Sequence, residues 1–380
     1  MCARAFEQTP KIVGLDACFV KGRYGVFLVM TALDGNGGIF PVALGIAETE
    51  NTETWFWFLC LVKTALHIDG DGEGIVFLSD REKGIDTALN LVFPRAAHGY
   101  CVVHIKRNLL SQHQTSFNGL LFKAASAGTK KEFKAIIAMM KSIHPDAGAY
   151  VENIRWEKWA RAYFPLRRFG HVTSNIAESA NAWLEDVRRL DPVGVFSIFI
   201  LKLNNLFDAR RREFNSIPEG ALPKRVFELL KKSIDQSKTL VVRSHTQTLF
   251  EVQRKNDSGD FCVVKLDART CSCSYYAEHG IPCRHVCAAV LSINQDPKQF
   301  VVPERRREAL VATYVGVIMP VDTSSLDNDG TEPPVETKRR VRPKEKRIPS
   351  SVETMTRKTV TCGLCGARGH NSRTCKKKQN

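Results

Sequence analysis

No apolar stretch in this 380-residue chain approaches the roughly 20 residues a membrane-spanning helix needs. The longest candidates, residues 55–62 and 195–203, are about half that length. Residues 1–10 lack the apolar core of a secretion signal. The expectation is therefore a soluble intracellular chain with no membrane partner, whose 12 cysteines meet a reducing compartment. Metal binding or burial is favoured there over disulfides. No repeat of roughly 20 to 50 residues is apparent, which excludes solenoids and propellers. Acids are also short, at 40 Asp+Glu against 55 Lys+Arg, a formal +15. With 43% hydrophobic residues the composition is globular.

The excess charge is concentrated. Residues 336–380 hold 14 Lys/Arg and 3 Asp/Glu, a net +11, which leaves +4 for residues 1–335. The densest part, Lys338-Arg339-Arg340-Val341-Arg342-Pro343-Lys344-Glu345-Lys346-Arg347, reads as a nuclear-import signal or a phosphate-contacting arm. The alternative is a solvated linker kept extended by its charge.

The N-terminal tract reads as strands and helices in alternation. Ile12-Val13-Gly14-Leu15-Asp16 predicts a short buried strand, and residues 26–33 and 39–47 predict a hairpin across Asp34-Gly35-Asn36-Gly37-Gly38. Thr52-Glu53-Thr54 predicts the capped start of a helix through residue 62, and residues 74–80 a fully buried strand ending on an acid. Residues 84–93 read as a helix and 99–104 as a fifth strand. Residues 105–164 are helical and amphipathic, and further helices are expected near 173–190 and at 195–214.

Asp16 and Asp80 each close an apolar strand, and in this order the two strands would be neighbours at the centre of a mixed sheet. Adjacent carboxylates repel unless a cation lies between them, and hard oxygen ligands suit Mg²⁺ or Mn²⁺. A two-metal site wants a third acid. Glu178 is the candidate, one turn inside a helix that Thr173-Ser174-Asn175 would cap. The plainer reading is that such acids are turn residues or solvated helical glutamates.

The local words are Asp16-Ala17-Cys18-Phe19-Val20-Lys21-Gly22, Phe40-Pro41-Val42-Ala43, Glu50-Asn51, residues 55–59, Leu78-Ser79-Asp80-Arg81-Glu82-Lys83-Gly84, Cys101-Val102-Val103-His104 and Thr173-Ser174-Asn175-Ile176-Ala177-Glu178-Ser179-Ala180-Asn181. In this order, over about residues 11–190, they resemble the Mutator-like (MULE) transposases. The resemblance implies an RNase H-like fold with a helical insertion before the third acid, and DDE chemistry of DNA cleavage and transfer. It places the triad on Asp16, Asp80 and Glu178 with two catalytic Mg²⁺ or Mn²⁺ ions, and DNA, in the form of terminal inverted repeats, as the partner. A homodimer is expected by analogy. Cys101 and His104 match an auxiliary motif of the family. On a strand the two would face opposite sides unless the strand ends between them. A buried thiol beside a hydrogen-bonded imidazole, or a His104 contact to the scissile phosphate, are both open readings.

Two further patterns predict zinc. Cys271, Cys273, Cys283 and His285 form C-x-C-x9-C-x-H, two tight pairs that can close a tetrahedron across the turn-forming Gly280 and Pro282. This resembles the SWIM zinc finger; Cys262, His279 and Cys287 are expected to stand apart. Cys362, Cys365, His370 and Cys375 form C-x2-C-x4-H-x4-C, which resembles the retroviral-type zinc knuckle. So short a segment would take its folding free energy from the metal, and the module suits single-stranded nucleic acid or a protein.

The sequence thus predicts an α/β chain, an RNase H-like mixed sheet with helical insertion followed by small zinc-binding modules. The core would span 11–222 with the insertion at about 105–172, the SWIM region 223–315, a disordered basic linker 316–360 and the knuckle 361–378. The function expected is a nuclear DDE transposase with two structural Zn²⁺ ions. The rival readings are a domesticated, non-catalytic DNA-binding regulator resembling the far-red-impaired-response proteins, and a nuclease unrelated to transposition. The ten residues before the first strand leave no room for the N-terminal DNA-binding domain such transposases carry, so a truncated or degenerate copy is also an expectation.

Overall fold

The computed structural model describes residues 2–20, 25–81, 83–173, 175–255, 261–317 and 365, apart from the side chains at 83, 118, 175, 177 and 178. The chain divides into two units, Met1–Val321 and Asp322–Asn380. Cys365, in a half-buried turn, is the described residue of the second. The other knuckle residues, Cys362, His370 and Cys375, lie outside the described residues, as does the linker from 318 on.

After a short helix α1 (Cys2–Glu7), strands β1 (Ile12–Phe19), β2 (Val26–Leu33) and β3 (Ile39–Ala47) form an antiparallel meander. The expected hairpin turn closes through the Asp34 carboxylate, which accepts the Asn36 and Gly38 N–H groups at 2.9 and 2.7 Å, with Gly37 at φ +81°. Helix α2 (Thr52–Ala65) starts one residue earlier than the sequence suggested. Asn51 is its cap, accepting the Thr54 N–H at 2.9 Å, and the Thr54 hydroxyl in turn accepts the Asn51 N–H. Strand β4 (Val76–Ser79), helix α3 (Lys83–Val92) and strand β5 (Ala97–Tyr100) follow. β4 and β5 are parallel to β1, giving the order β3-β2-β1-β4-β5. Alternation along β4 separates two cores. Val76 and Leu78 pack with Ile12 and Ile176, while Phe77 packs on Phe93, ring centroids 5.1 Å apart.

The fifth strand is shorter than expected and ends at Tyr100 rather than at residue 104. Cys101 still joins the ladder, its N–H donating to the Ser79 carbonyl at 2.8 Å. Its own carbonyl already accepts the Ile105 N–H, so helix α4 (Val102–His113) begins there. Helices α5 (Leu120–Ser126), α6 (Lys130–Ile143) and α7 (Pro145–Glu152) complete an insertion with its own core around Phe133, Met140 and Trp159. The chain then returns to the sheet through α8 (Asn175–Trp183) and α9 (Pro192–Asn215). Among the described residues α9 is the one helix long and apolar enough to cross a membrane. Here its Val195, Phe199, Leu203, Phe207 and Phe214 are buried in the sheet core, and its Arg210 pairs with the buried Asp34.

Helix α10 (Lys224–Ser237) leads into a second sheet, β6 (Leu240–Ser244), β7 (Leu249–Arg254), β8 (Phe261–Lys265) and β9 (Thr270–Cys271), antiparallel in that order. Helices α11 (Tyr275–His279), α12 (Arg284–Ser292) and α13 (Arg307–Thr313) follow. This part is docked on the first. Ser274 donates to the Gly128 carbonyl at 2.9 Å, the Arg167 guanidinium to the Ala277 carbonyl at 2.6 Å, and the Tyr314 hydroxyl to Asp34 at 2.8 Å.

Candidate functional site

The parallel ladder sets the first group of side chains in a row. β1 and β4 pair at Ile12–Val76 and Gly14–Leu78, a register that, continued by two residues, sets Asp16 of β1 alongside Asp80 just past the end of β4. β4 and β5 pair at Leu78–Gly99, which sets Asp80 beside Cys101. The period of two puts all three on the face that carries Ile12, Val76 and Leu78. That face is where α8 packs, through Ile176. One turn further along α8, Asn181 donates its amide to Asp16 Oδ2 at 2.7 Å, while Asp16 Oδ1 accepts the Ala17 N–H at 3.1 Å. Position 178 lies three residues before Asn181 in α8, the spacing at which two positions share a helix face.

Because β5 stops at Tyr100, the concern that Cys101 and His104 would face opposite sides does not arise. Cys101 is buried at the cap of α4 and His104 lies in that helix's first turn. Hydrogen bonding to Cys101, with the Asp80 charge adding to it, holds His104 above its ordinary pKa against the effect of burial. Arg107 reaches His104 Nε2 at 3.1 Å.

Behind the row, on the Phe77 face, is a network that sequence reasoning missed. Ser79, fully buried, is 2.8 Å from His98 Nε2, and His98 Nδ1 is 2.9 Å from Asp86. Asp86 also accepts the Tyr100 hydroxyl at 3.3 Å and the Lys158 ammonium at 3.4 Å. The His98 hydrogen bond, then the Lys158 charge, hold the Asp86 carboxyl well below the usual carboxylate range, whereas burial lowers His98. His98 is therefore neutral, donating from Nδ1 to Asp86, while the one Ser79 hydroxyl proton lies between His98 Nε2 and the Asp80 carbonyl, 2.8 Å from each. The network bridges the end of β4 and the first turn of α3, the two anchors of the loop that carries Asp80.

The second group is the Cys/His cluster. The ligand atoms of Cys271, Cys273, Cys283 and His285 all lie within 4.8 Å of one another. His285 Nδ1 is 3.7 Å from the Cys271 sulfur and 3.8 Å from that of Cys283. A zinc tetrahedron with bonds of ~2.1–2.3 Å has edges of about 3.6 Å, so three thiols and one imidazole fit that ion in number, softness and spacing. Local backbone brings the pairs together: Ser274 and Gly280 both adopt positive φ, and Cys283 caps α12. Burial lowers His285, but hydrogen bonds to Cys262, Cys273 and Cys283 outweigh it and raise it to about 11.

The three expected bystanders differ. His279 stacks on Tyr275 with centroids 4.1 Å apart, and Cys287 sits against the Pro282 carbonyl. Cys262, by contrast, hydrogen-bonds to Cys271 and His285, which lower its pKa. The reason is register. Val264 pairs with Cys271, so Cys262, two residues away on β8, faces the same side.

Comparison with known proteins follows the same division. Residues 12–108 match the model of the MULE transposase domain. Residues 250–294 match that of the SWIM zinc finger. Over 175 residues the chain is 27% identical to the transposase for insertion sequence element IS1201 of Lactobacillus helveticus, covering 44% of this chain and 41% of that protein. The chain thus spans about two fifths of that relative's length. Residues 12–108 are thus similar to a MULE transposase domain and residues 250–294 to a SWIM zinc finger. The first match takes in Asp16, Asp80, Cys101 and His104, and the second all four zinc-fitting residues. Asn181 and Ser79 were visible only inside longer words, and His98, Asp86 and Lys158 had no signal beyond ordinary polar residues. Only the β4–β5 register and the α8 packing single them out.

Proposed function

We propose that the chain is a DDE-type DNA transposase that cuts and joins phosphodiesters, with Asp16, Asp80 and Glu178 as its metal-holding acids. The observation that carries this is the pairing of β1 with β4, which brings Asp16, inside β1 rather than closing it as expected, next to the end of β4 where Asp80 follows, with α8 and position 178 packed on the same face. The sheet order β3-β2-β1-β4-β5 with an inserted helical tract before α8 is what an RNase H-like reading asks for.

Two carboxylates on adjacent strands, whose backbones run about 4.8 Å apart, suit a hard divalent cation as a partner. Two Mg²⁺ or Mn²⁺ ions, when bound, would supply the charge that activates the attacking oxygen and stabilises the leaving one. The chain's own residues do the rest. Asn181 fixes the Asp16 carboxylate by its 2.7 Å bond. His104, raised by Cys101 and Asp80, and Arg107 beside it present donors next to the acids, placed to hold a phosphate oxygen.

The SWIM cluster takes one structural Zn²⁺, and Cys362, Cys365, His370 and Cys375 a second. The basic residues 338–347 serve nuclear entry or DNA contact, the DNA recognised is a terminal inverted repeat, and the working form is a homodimer. The deciding experiment is cleavage of terminal-repeat DNA by purified protein with Mg²⁺ or Mn²⁺. Wild type cuts, and Asp80→Asn loses activity by about a hundred-fold or more. Uncut DNA with wild type, or equal cutting by Asp80→Asn, ends the proposal.

A further inference from the structure

Between α10, the insertion and the zinc cluster lies a cavity of about 340 Å³. Its walls carry Arg161, Lys232 and Arg284, with Ser233, Gln236 and Tyr275 between them, and no carboxylate. Its floor is formed by Cys273, Cys283 and His285. The three cations come from separate elements. Arg161 belongs to the segment closing the insertion, where its guanidinium lies against Gly128, which the Cys273 carbonyl also approaches. Lys232 is on the exposed face of α10, and Arg284 opens α12.

Charge arithmetic decides whether the cluster alone accounts for them. Three thiolates around Zn²⁺ leave a net charge of −1, which one cation balances. Arg284 fills that role, its Nε lying 3.2 Å from His285 Nε2. Arg161 and Lys232 remain, and neither has a carboxylate within ion-pair distance among the described residues. Arg161 Nε is buried with no hydrogen-bond partner. A buried guanidinium donor left unmatched costs about 1–3 kcal/mol or more, so its persistence asks for a ligand. The surplus charge is felt nearby: His279 is pushed down to about 4 by burial first and then by Arg161 and Arg305.

We infer that this cavity binds a phosphate oxyanion of the nucleic-acid backbone, with Arg161 as the inner donor, Lys232 as the outer charge and Gln236 as a neutral donor beside them. The inference rests on the proposed DNA substrate and gives it a second contact, one that joins the insertion to the zinc module. A backbone phosphate fits better than a free small anion because Lys232 leaves one wall open to solvent, so a chain can pass through.

The test uses the full zinc-loaded chain and a duplex of fixed length, with affinity measured across a salt series. Each lost phosphate contact flattens the log–log salt slope by about 0.9 and weakens binding about five-fold at physiological salt. Lys232→Ala is expected to lose about one such unit and Arg161→Ala with Lys232→Ala about two. Lys141→Ala, which removes an equal charge already paired with Glu152 at 2.8 Å, is expected to lose none. Metal analysis accompanies every variant. If Arg161→Ala sheds zinc, the exposed Lys232→Glu decides alone, and it must weaken binding more than Lys232→Ala. Unchanged slope and affinity in these variants overturn the inference. So does inorganic phosphate that raises the melting temperature of wild type but not of Lys232→Ala while the DNA slope stays constant, since the cavity then takes a free anion. Binding is measured without divalent ions and cleavage separately with Mg²⁺, so failure of the cleavage reading and failure of this one are told apart.

Discussion

The sheet acids and the Cys/His cluster assemble charged groups by opposite routes. Asp16 and Asp80 come from two distant stretches of chain carried by neighbouring strands, and position 178 from a third that returns to the sheet in α8. The four zinc-fitting residues come from one short stretch, 271–285, set on a small apolar core of Phe250, Val252, Val264, Tyr276 and Val286. The first group is held by the fold, and adjacent carboxylates work against it. The second gives its part of the molecule a reason to fold, because thiolates drawn together release free energy only when an ion joins them.

The largest effect expected follows from this. Stripping zinc, or replacing Cys283 with Ser, should unfold the region from β6 to α12, since structural zinc supplies roughly 10–16 kcal/mol of apparent binding free energy in small modules. The sheet β3-β2-β1-β4-β5, with its buried Phe27, Phe40 and Phe77, should keep its own transition. Calorimetry with and without chelator checks this. A single shared transition lost on chelation would mean that docking through Arg167, Ser274 and Tyr314 makes one cooperative unit, and the comparison would fail.

Asp80→Asn probes the other side with the opposite sign. Removing one of two neighbouring carboxylates relieves a repulsion on the order of 1 kcal/mol in the metal-free chain. The variant should melt no lower than wild type, and slightly higher, while cleavage and Mn²⁺ binding are lost. A lower melting temperature without divalent ions would show that Asp80 is a structural acid.

Asn181→Ala sharpens the same point one step out. It removes the amide that orients Asp16 at 2.7 Å, and outer partners of this kind typically contribute ten- to a hundred-fold in metal affinity or activity. Mn²⁺ titration should show a weaker site with little change in melting temperature. Equal Mn²⁺ affinity in the variant would remove Asn181 from the site.

The two groups were also unequally legible. The zinc-fitting residues could be read from spacing, because a C-x-C and a C-x-H pair around Gly280 and Pro282 dictate their own geometry. Asp16 and Asp80 could be read only together with a strand order, and the hydrophobic runs 12–16 and 74–80 were regular enough to supply one. The fifth strand was over-read by four residues because Cys101-Val102-Val103 is apolar and β-branched, a pattern that a buried helix start shares with a strand. Cys262 was set aside because its approach depends on β8–β9 register. His98 left no trace, since a histidine in a four-residue strand has no periodicity to mark it.

His98 gives the smallest effect, and it tests whether the strand-end group is as well supported by the fold as the comparison claims. His98→Ala would leave Asp86 without its principal donor, a loss of about 1–3 kcal/mol, while Ser79 keeps the Asp80 carbonyl as its acceptor. The wild-type network also predicts the direction of pH dependence. Burial holds folded His98 below its ordinary value of 6.5, so the unfolded chain takes up that proton first. The stability this contributes is present above about pH 6.5 and is lost as the pH falls through the folded value. Asp86, depressed below its ordinary value of 3.8, adds a further loss as the pH falls from there toward its folded value. Urea midpoints measured from pH 8 to pH 4 should therefore decline below about pH 6.5 in wild type. In His98→Ala that first step should be shallower, because the residue that takes up the proton on unfolding is gone. Parallel curves for the two proteins would place the acid sensitivity elsewhere and leave the loop bearing Asp80 without this anchor.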